Sequence, residues 1–431
     1  MAMLREDIPE EIAIDILARS PVKSLFRFMS ACKSWRSLIT DPVFISKHQR
    51  HSAERGNSCL LHLPTSFPCG QIDKLCILTS DDDPLVVEDP NVPVPFQTVS
   101  QSYYFLGSCN GLLCLTDSGN YFGHTLYLWN PAAKISKTLF SSCITHKFVD
   151  KCSCSILGFG FDRRSNDYKI VRIMYQLDGT MDFDPAPPEV EVYSLKSDSW
   201  KVFGTIVPRI TEKSEAFIND ALHWLALEAY GDNPSYRLIV SFNVVDEKFN
   251  YMSLPADVIK NDEVPVDDMS LTAFKDSLAL FVYYHAHDHA DDDDGGWCDR
   301  FDVWFMMDHG LNMTWTKQYT VVQETMCRSV GFTRSGKILL EKASIPNKLL
   351  LWDPSNQQTE STGVPWVAFF VSVVPFTESL ALVETETANT GQTNSMEGVT
   401  YRGINILLEE EGEWSSMQPS EECHKGRNFK D

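Results

Sequence analysis

One arrangement recurs from residue 111 to the end of the chain: a turn residue followed at once by a short apolar run. Gly111 precedes LLCL, Asp167 precedes YKIVRI, Asp220 precedes ALHWLAL, Asp276 precedes SLALFVYY, Gly336 precedes KILLEK and Glu378 precedes SLALVE. The spacings are 56, 53, 56, 60 and 42 residues. After each of the first five pivots comes a second unit of strand, polar turn and strand, at 126–139, 190–203, 238–255, 301–321 and 349–363. Short apolar runs bounded by Gly, Asn and Asp read as strands. Two hairpins in every repeat make one four-stranded blade, so the fold class is an all-β propeller. Six pivots predict six blades, with closure shared between residues 59–106 and the end of the chain. A β-sandwich is the competing all-β reading, and it leaves the repeat unexplained.

The first fifty residues follow a different rule. Ile8, Ile12 and Ile16 recur every four residues, with Ala13 and Leu17 beside them, which predicts an amphipathic helix. Asp7 followed by Pro9 and Glu10 reads as a capping box with proline in the first turn. Ser20-Pro21 ends that helix. Leu25, Phe28, Met29, Cys32, Trp35, Leu38 and Ile39 step by three and four as a second amphipathic run. Asp41-Pro42 breaks it, and Val43, Phe44 and Ile45 resume briefly. So small a helical module buries little of its own surface, so part of its apolar stripe must pack elsewhere.

Charge separates the same two parts. Residues 1–50 carry eight Lys/Arg and six Asp/Glu, while the whole chain is at −22, so the remainder holds −24. A surface that acidic repels nucleic acid and anionic membrane and suits a basic partner. No run of apolar residues is long enough to cross a membrane as a helix. Glu6, Asp7, Glu10 and Glu11 stand where a secretory signal needs an apolar core, so the expected location is the cytoplasm or nucleus. There the 12 cysteines, which include no C-x-x-C pair, stay reduced, and neither a disulfide framework nor a zinc site is expected.

Residues 7–48, DIPEEIAIDILARSPVKSLFRFMSACKSWRSLITDPVFISKH, closely resemble the plant F-box. The carrying elements are Ile8-Pro9-Glu10, Ile16-Leu17, Pro21-Val22-Lys23-Ser24-Leu25, Arg27-Phe28, Cys32-Lys33-Ser34-Trp35 and Asp41-Pro42-x-Phe44. Departures are small: Ile8 and Ser20 each stand where Leu is usual. Roughly residues 100–385 resemble the F-box-associated domain, through SCNGLLCL at 108–115, LWNPAAK at 128–134, LGFGFDRRSNDYKIVRI at 157–173 and VEVYSLKSDSWK at 190–201. Within that superfamily the chain looks most like the S-locus F-box and F-box/kelch-like branch. The implied organisation is an F-box at 1–50, a connecting region with the first propeller strands at 51–106, the associated domain at 107–408, and a disordered acidic tail at 409–431.

The resemblance implies a substrate receptor. The F-box docks on a Skp1-type adaptor of a cullin–RING ubiquitin ligase, and the propeller captures a target protein. No cofactor and no catalytic residue are expected. The residues implied in adaptor docking are Ile8, Pro9, Ile12, Ile16, Leu17, Val22, Leu25 and Trp35. Part of this set must form the module's own core, and sequence alone does not divide it. For the target, acidic inter-repeat loops containing Asp262, Glu263, Asp267 and Asp268, and Asp291, Asp292, Asp293 and Asp294, are candidates to steer a basic protein. The same acidity also serves solubility. Two other classes remain open: a propeller-fold enzyme such as a glycan oxidase or hydrolase, and a scaffold that binds the adaptor without recruiting a ligase.

Three strings imitate chemistry. Gly331 to Gly336-Lys337 has phosphate-loop spacing, but Ile338 replaces the magnesium-binding hydroxyl and a strand follows where a helix is needed. Gly107-Ser108-Cys109-Asn110-Gly111 imitates a nucleophile elbow, yet Asn110-Gly111 is a favoured hairpin turn. His285, His287 and His289 alternate as strand ligands would, but run into Asp291 and its acidic neighbours in a polar segment.

Overall fold

The computed structural model describes residues 9–55, 58–62, 74–79, 86–96, 103–117, 125–139, 142–144, 153–177, 186–230, 233–260, 264–284, 298–308, 313–342, 348–365 and 373–381. The segment read as an acidic tail, 409–431, lies outside them.

Four helices come first: α1 (Glu10–Ala18), α2 (Val22–Met29), α3 (Lys33–Ile39) and α4 (Pro42–Arg55). Pro9 and Pro21 hold extended backbone at the N-caps of α1 and α2, and Pro42 opens α4, where its missing N–H costs nothing. Pro9 is therefore the N-cap of α1, with no side-chain cap, rather than a member of its first turn; Asp7 lies outside the described residues. The run from Leu25 to Ile39 is two helices, not one. Cys32 between them is extended, and its Sγ accepts the Trp35 N–H at 3.4 Å, which starts α3. Asp41 Oδ1 accepts the Val43 N–H at 2.7 Å, and α4 then runs 14 residues where the sequence predicts only a brief resumption.

The rest is sheet. The first contains β1 (Ser58–His62), β2 (Lys74–Thr79) and β3 (Val86–Pro93). The second is β4 (Tyr103–Cys109), β5 (Leu112–Asp117), β6 (Leu126–Asn130) and β7 (Ile135–Leu139). The third is β8 (Ser153–Asp162), β9 (Asp167–Gln176), β10 (Glu189–Ser194) and β11 (Ser199–Phe203). The fourth is β12 (Arg209–Ile218), β13 (Ala221–Tyr230), β14 (Asn233–Asn243) and β15 (Lys248–Ser253). A short helix, α5 (Ala256–Lys260), and a 3₁₀ turn at Val266–Asp268 lead into the fifth. It contains β16 (Met269–Phe274), β17 (Ser277–Tyr284), β18 (Cys298–Asp308), β19 (Met313–Phe332), β20 (Ile338–Lys342), β21 (Lys348–Asp353) and β22 (Gln358–Pro365). Finally β23 (Val373–Thr377) returns to pair antiparallel with β1, from Ser58 opposite Thr377 to His62 opposite Val373. The two ends of the propeller thus share one sheet, as the sequence predicts for residues 59–106 and the chain's end.

Six blades are predicted, and the described residues form five sheets. The difference lies in β19. It pairs with β18 through Met313–Val322 and again at Cys327, and with β20 through Cys327–Phe332, so two repeats are continuous through one strand and make a seven-stranded sheet. Between Met313 and Val330 there is no Gly or Pro to interrupt it. The sixth pivot also differs: Glu378 to Ala381 form no strand but leave the sheet.

The hairpins follow from their turn residues. Asn110 (φ 45°) with Gly111 (φ 77°), and Asn219 (φ 50°) with Asp220 (φ 60°), make two-residue turns that match strand twist. The longer turns repeat another device. Asn130, Asp162, Asn243 and Asp353 end a strand, and each Oδ1 accepts the N–H of the residue two ahead.

The first strand of each sheet packs on the next: β23 on β4, β4 on β8, β8 on β12 and β12 on β16, with β12 also reaching β4 across the centre. Core clusters lie between neighbouring sheets. Val171, Ile173, Val190 and Val192 of the third sheet interleave with Leu222, Trp224, Val240 and Phe242 of the fourth. Gly158 permits this approach, since a Cβ there would sit 2.5 Å from the Trp224 ring. Lys169 joins the same two sheets through Asp162 (3.1 Å), Glu247 (2.9 Å) and the Val244 carbonyl (2.8 Å). No helix of the described residues is long and apolar enough to cross a membrane.

Candidate functional site: an exposed helical face and two rims

The helical module encloses Leu17, Ala18, Val22, Leu25, Ile39 and Phe44, with Leu380 from the far end of the chain completing the cluster. Asp15 of α1 holds Arg19 at 2.9 Å and reaches Lys47 of α4 at 3.3 Å. The Lys47 hydrogen bond, supported by Arg19, holds the Asp15 carboxyl below the usual carboxylate range. Buried His48 adds a hydrogen bond from Nε2 to the Ser20 carbonyl at 3.1 Å.

This packing divides the residues that sequence left mixed. Leu17, Val22 and Leu25 are core, at 5%, 2% and 0% exposure. Ile12 and Ile16, one turn apart on α1, are 52% and 54% exposed, and Trp35 is 39% exposed. Pro9 is also exposed, and Ile8 lies outside the described residues. Trp35 packs nearly perpendicular to the Phe28 ring, ring centres 5.1 Å apart. Val43, at 77% exposure on α4, is a further outward apolar residue that sequence reasoning missed. Its signal was the Asp41-Pro42 pair, a helix start that reads equally well as a break. Ile12, Ile16, Trp35 and Val43 are thus the exposed large apolar side chains among the described residues of the helical module.

On the propeller, the turns β4–β5, β8–β9, β12–β13 and β16–β17 gather at one end of the axis. They border a cavity of about 640 Å³ lined by Asn110, Phe161, Arg163, Asp220 and Asp276 among others. Arg163 Nε meets Asp220 Oδ2 at 2.8 Å across its wall. Cys109 also borders it, but burial pushes this thiol up to about 12, so the thiolate is strongly disfavoured. The elbow-like string is the β4–β5 hairpin. The phosphate-loop-like string is the β19–β20 hairpin, closed by Thr333 N–H to the Lys337 carbonyl at 2.9 Å, with Lys337 Nζ 3.3 Å from Asp353.

The helical module is joined to this same end, through Leu380 and the β6–β7 turn residue Ala132. Strand alternation then defines the opposite rim. Asp267 and Asp268 lie in the 3₁₀ turn that enters β16, at the end away from the Lys275–Asp276 turn. Asp268 is half-buried. Tyr284 and Cys298, the strand ends flanking the segment with His285, His287 and His289, lie at that rim too. Asp262, Glu263, Asp291, Asp292, Asp293, Asp294 and the three histidines themselves lie outside the described residues.

Comparison with known proteins agrees with both parts. Residues 6–47 match the F-box domain, and residues 77–376 match the F-box associated beta propeller domain. The chain is 27% identical over 341 residues to F-box protein At3g07870 of Arabidopsis thaliana, covering 73% of each. It is 27% identical over 329 residues to F-box/kelch-repeat protein At3g23880 of the same plant, covering 73% of this chain and 79% of that one. With F-box protein CPR1, also of Arabidopsis thaliana, identity is 26% over 383 residues, covering 82% and 84%. An exposed face on an F-box and a propeller matched over most of its length lead to one assignment: the chain belongs to the family of F-box proteins that carry an F-box associated β-propeller domain.

Proposed function

We propose that the chain is the substrate-recognition subunit of an SCF-type ubiquitin ligase. The F-box presents Pro9, Ile12, Ile16 and Trp35 to a Skp1-type adaptor, and through it the chain joins a cullin–RING assembly. The observation that carries this reading is the split within α1: Leu17 is sealed in the core while Ile16, next to it, is left open to solvent. A helix that only stabilised its own module would not leave Ile12 and Ile16 bare.

The propeller acts by binding, not by chemistry. Holding a target beside the ubiquitin-loaded enzyme raises the effective concentration of its lysines, and no bond is made by the receptor. The target is taken on the rim away from the helical module. The charge of −24 beyond residue 50 favours a basic protein, steered by carboxylates and anchored by apolar contacts.

Affinity purification of the tagged full chain tests the assignment. Recovery of both adaptor and cullin supports it. Adaptor without cullin would make the chain a non-degradative scaffold instead. Recovery of neither would refute adaptor docking.

A further inference from the structure

Leu380 stands 2% exposed inside the helical module's core, although it belongs to the segment that follows the last propeller strand. That segment is pinned on both sides. Before it, Thr377 pairs with Ser58 in the final rung of β23 with β1. Around it, Asn130 Nδ2 donates to the carbonyls of Ser379 (3.0 Å) and Ala381 (2.8 Å). Asn130 is fully buried, and its Oδ1 is itself held by the N–H groups of Ala132 and Ala133. Ser379 Oγ donates to the Asn110 carbonyl at 2.6 Å. Gly111 leaves room for it: a Cβ there would lie 2.2 Å from Ser379 Oγ, on backbone at φ +77°.

We infer that Leu380 is a positioning residue for adaptor docking, so that the F-box acquires its docking face only in chains whose propeller ring has closed. A module of residues 9–55 has little core of its own. Leu17 sits in the cluster that Leu380 completes, and Ile12 and Ile16 lie on the outer side of the same helix. Whatever completes the cluster that holds Leu17 therefore sets the roll of α1 and the direction in which Ile12 and Ile16 point. Leu380 is delivered by β23, which takes its place only when it pairs with β1. A chain that stops short of residue 380, or whose ring is open, would not occupy the adaptor.

The inference rests on the docking reading above, and its test separates the two. Full-length wild type, Leu380→Asp, Leu380→Met and Asn130→Ala are compared for affinity to purified Skp1-type adaptor and for amide exchange. Leu380→Asp should weaken adaptor binding by at least about tenfold. It should also remove exchange protection from α1 and α2 while β9, β13 and β14 keep theirs. Leu380→Met should stay within about threefold of wild type, because the swap conserves volume. Asn130→Ala, which leaves the helices' own sequence unchanged, should reproduce part of the loss. Unchanged protection of α1 in Leu380→Asp and Asn130→Ala would overturn the inference, whatever the adaptor does. If wild type itself did not bind the adaptor, the docking reading would fall, and the exchange data would still decide the role of Leu380.

Discussion

Arg172 donates from Nη1 to Glu191 Oε1 at 3.1 Å across β9 and β10, with both side chains almost completely removed from solvent. The guanidinium also lies 4.6 Å from the centre of the Trp200 ring, and Glu191 Oε2 accepts the Cys143 N–H at 3.0 Å. A pair held this way is expensive to break from one side. Arg172→Met should destabilise the propeller by about 3–5 kcal/mol, because it strands a buried carboxylate. Arg172→Met with Glu191→Leu should cost less than Arg172→Met alone. Melting temperatures of the three proteins check this, and a double variant worse than the single would contradict it.

Acid sensitivity follows from His223. Burial between β12 and β14 drives it down from 6.5 to about 4, its ring held 3.3 Å from the Ala216 carbonyl. It is neutral in the fold and takes up a proton readily once unfolded. The contribution of His223 to stability is therefore present above pH 6.5 and is lost as pH falls toward 4, by up to about 3 kcal/mol. His223→Gln should flatten the fall of melting temperature between pH 7 and 5. An equally steep fall in the variant would remove His223 as its cause.

The close approach of the third and fourth sheets rests on Gly158. With Trp224 Cζ2 at 2.5 Å and Leu222 Cδ1 at 2.8 Å from a Cβ placed there, Gly158→Ala must displace these buried side chains. A loss of about 1–3 kcal/mol is expected, visible as a lower melting temperature with adaptor binding unchanged. A neutral effect would mean that the Trp224 ring can shift.

Much of this was legible in advance, and the exceptions have physical reasons. Strand spacing and the turn residues Asn110, Asp220 and Asn130 are local signals, so the β-repeat could be read directly. The strand β19 could not, because nothing in Met313–Val330 marks where one repeat yields to the next. In α1, Ile16 and Leu17 are equally apolar neighbours on adjoining faces, and helical period alone does not say which face is covered. Leu380 joins the cluster that buries Leu17 from more than 300 residues away in sequence, which no local pattern encodes. Asp267 and Asp268 are legible as charge, but their place in the turn that enters β16 depends on the strand order.

That contrast between neighbours makes a prediction. Leu17→Ala should cost the module about 2–4 kcal/mol through its core, and weaken adaptor binding together with the module's exchange protection. Ile16→Ala should leave stability nearly untouched and still weaken the adaptor. Exchange protection in α2, measured for both, separates the two routes. Equal loss of protection would place Ile16 in the core.

The most direct test is adaptor binding by the full chain carrying Ile12→Gln and Ile16→Gln. Both positions are more than half exposed, so the melting temperature should match wild type. Isothermal titration with purified Skp1-type adaptor should show wild-type binding and a loss of about a hundredfold or more in the variant. Undiminished binding by a correctly folded variant would contradict the account, because the exposed face of α1 would then not be the docking surface.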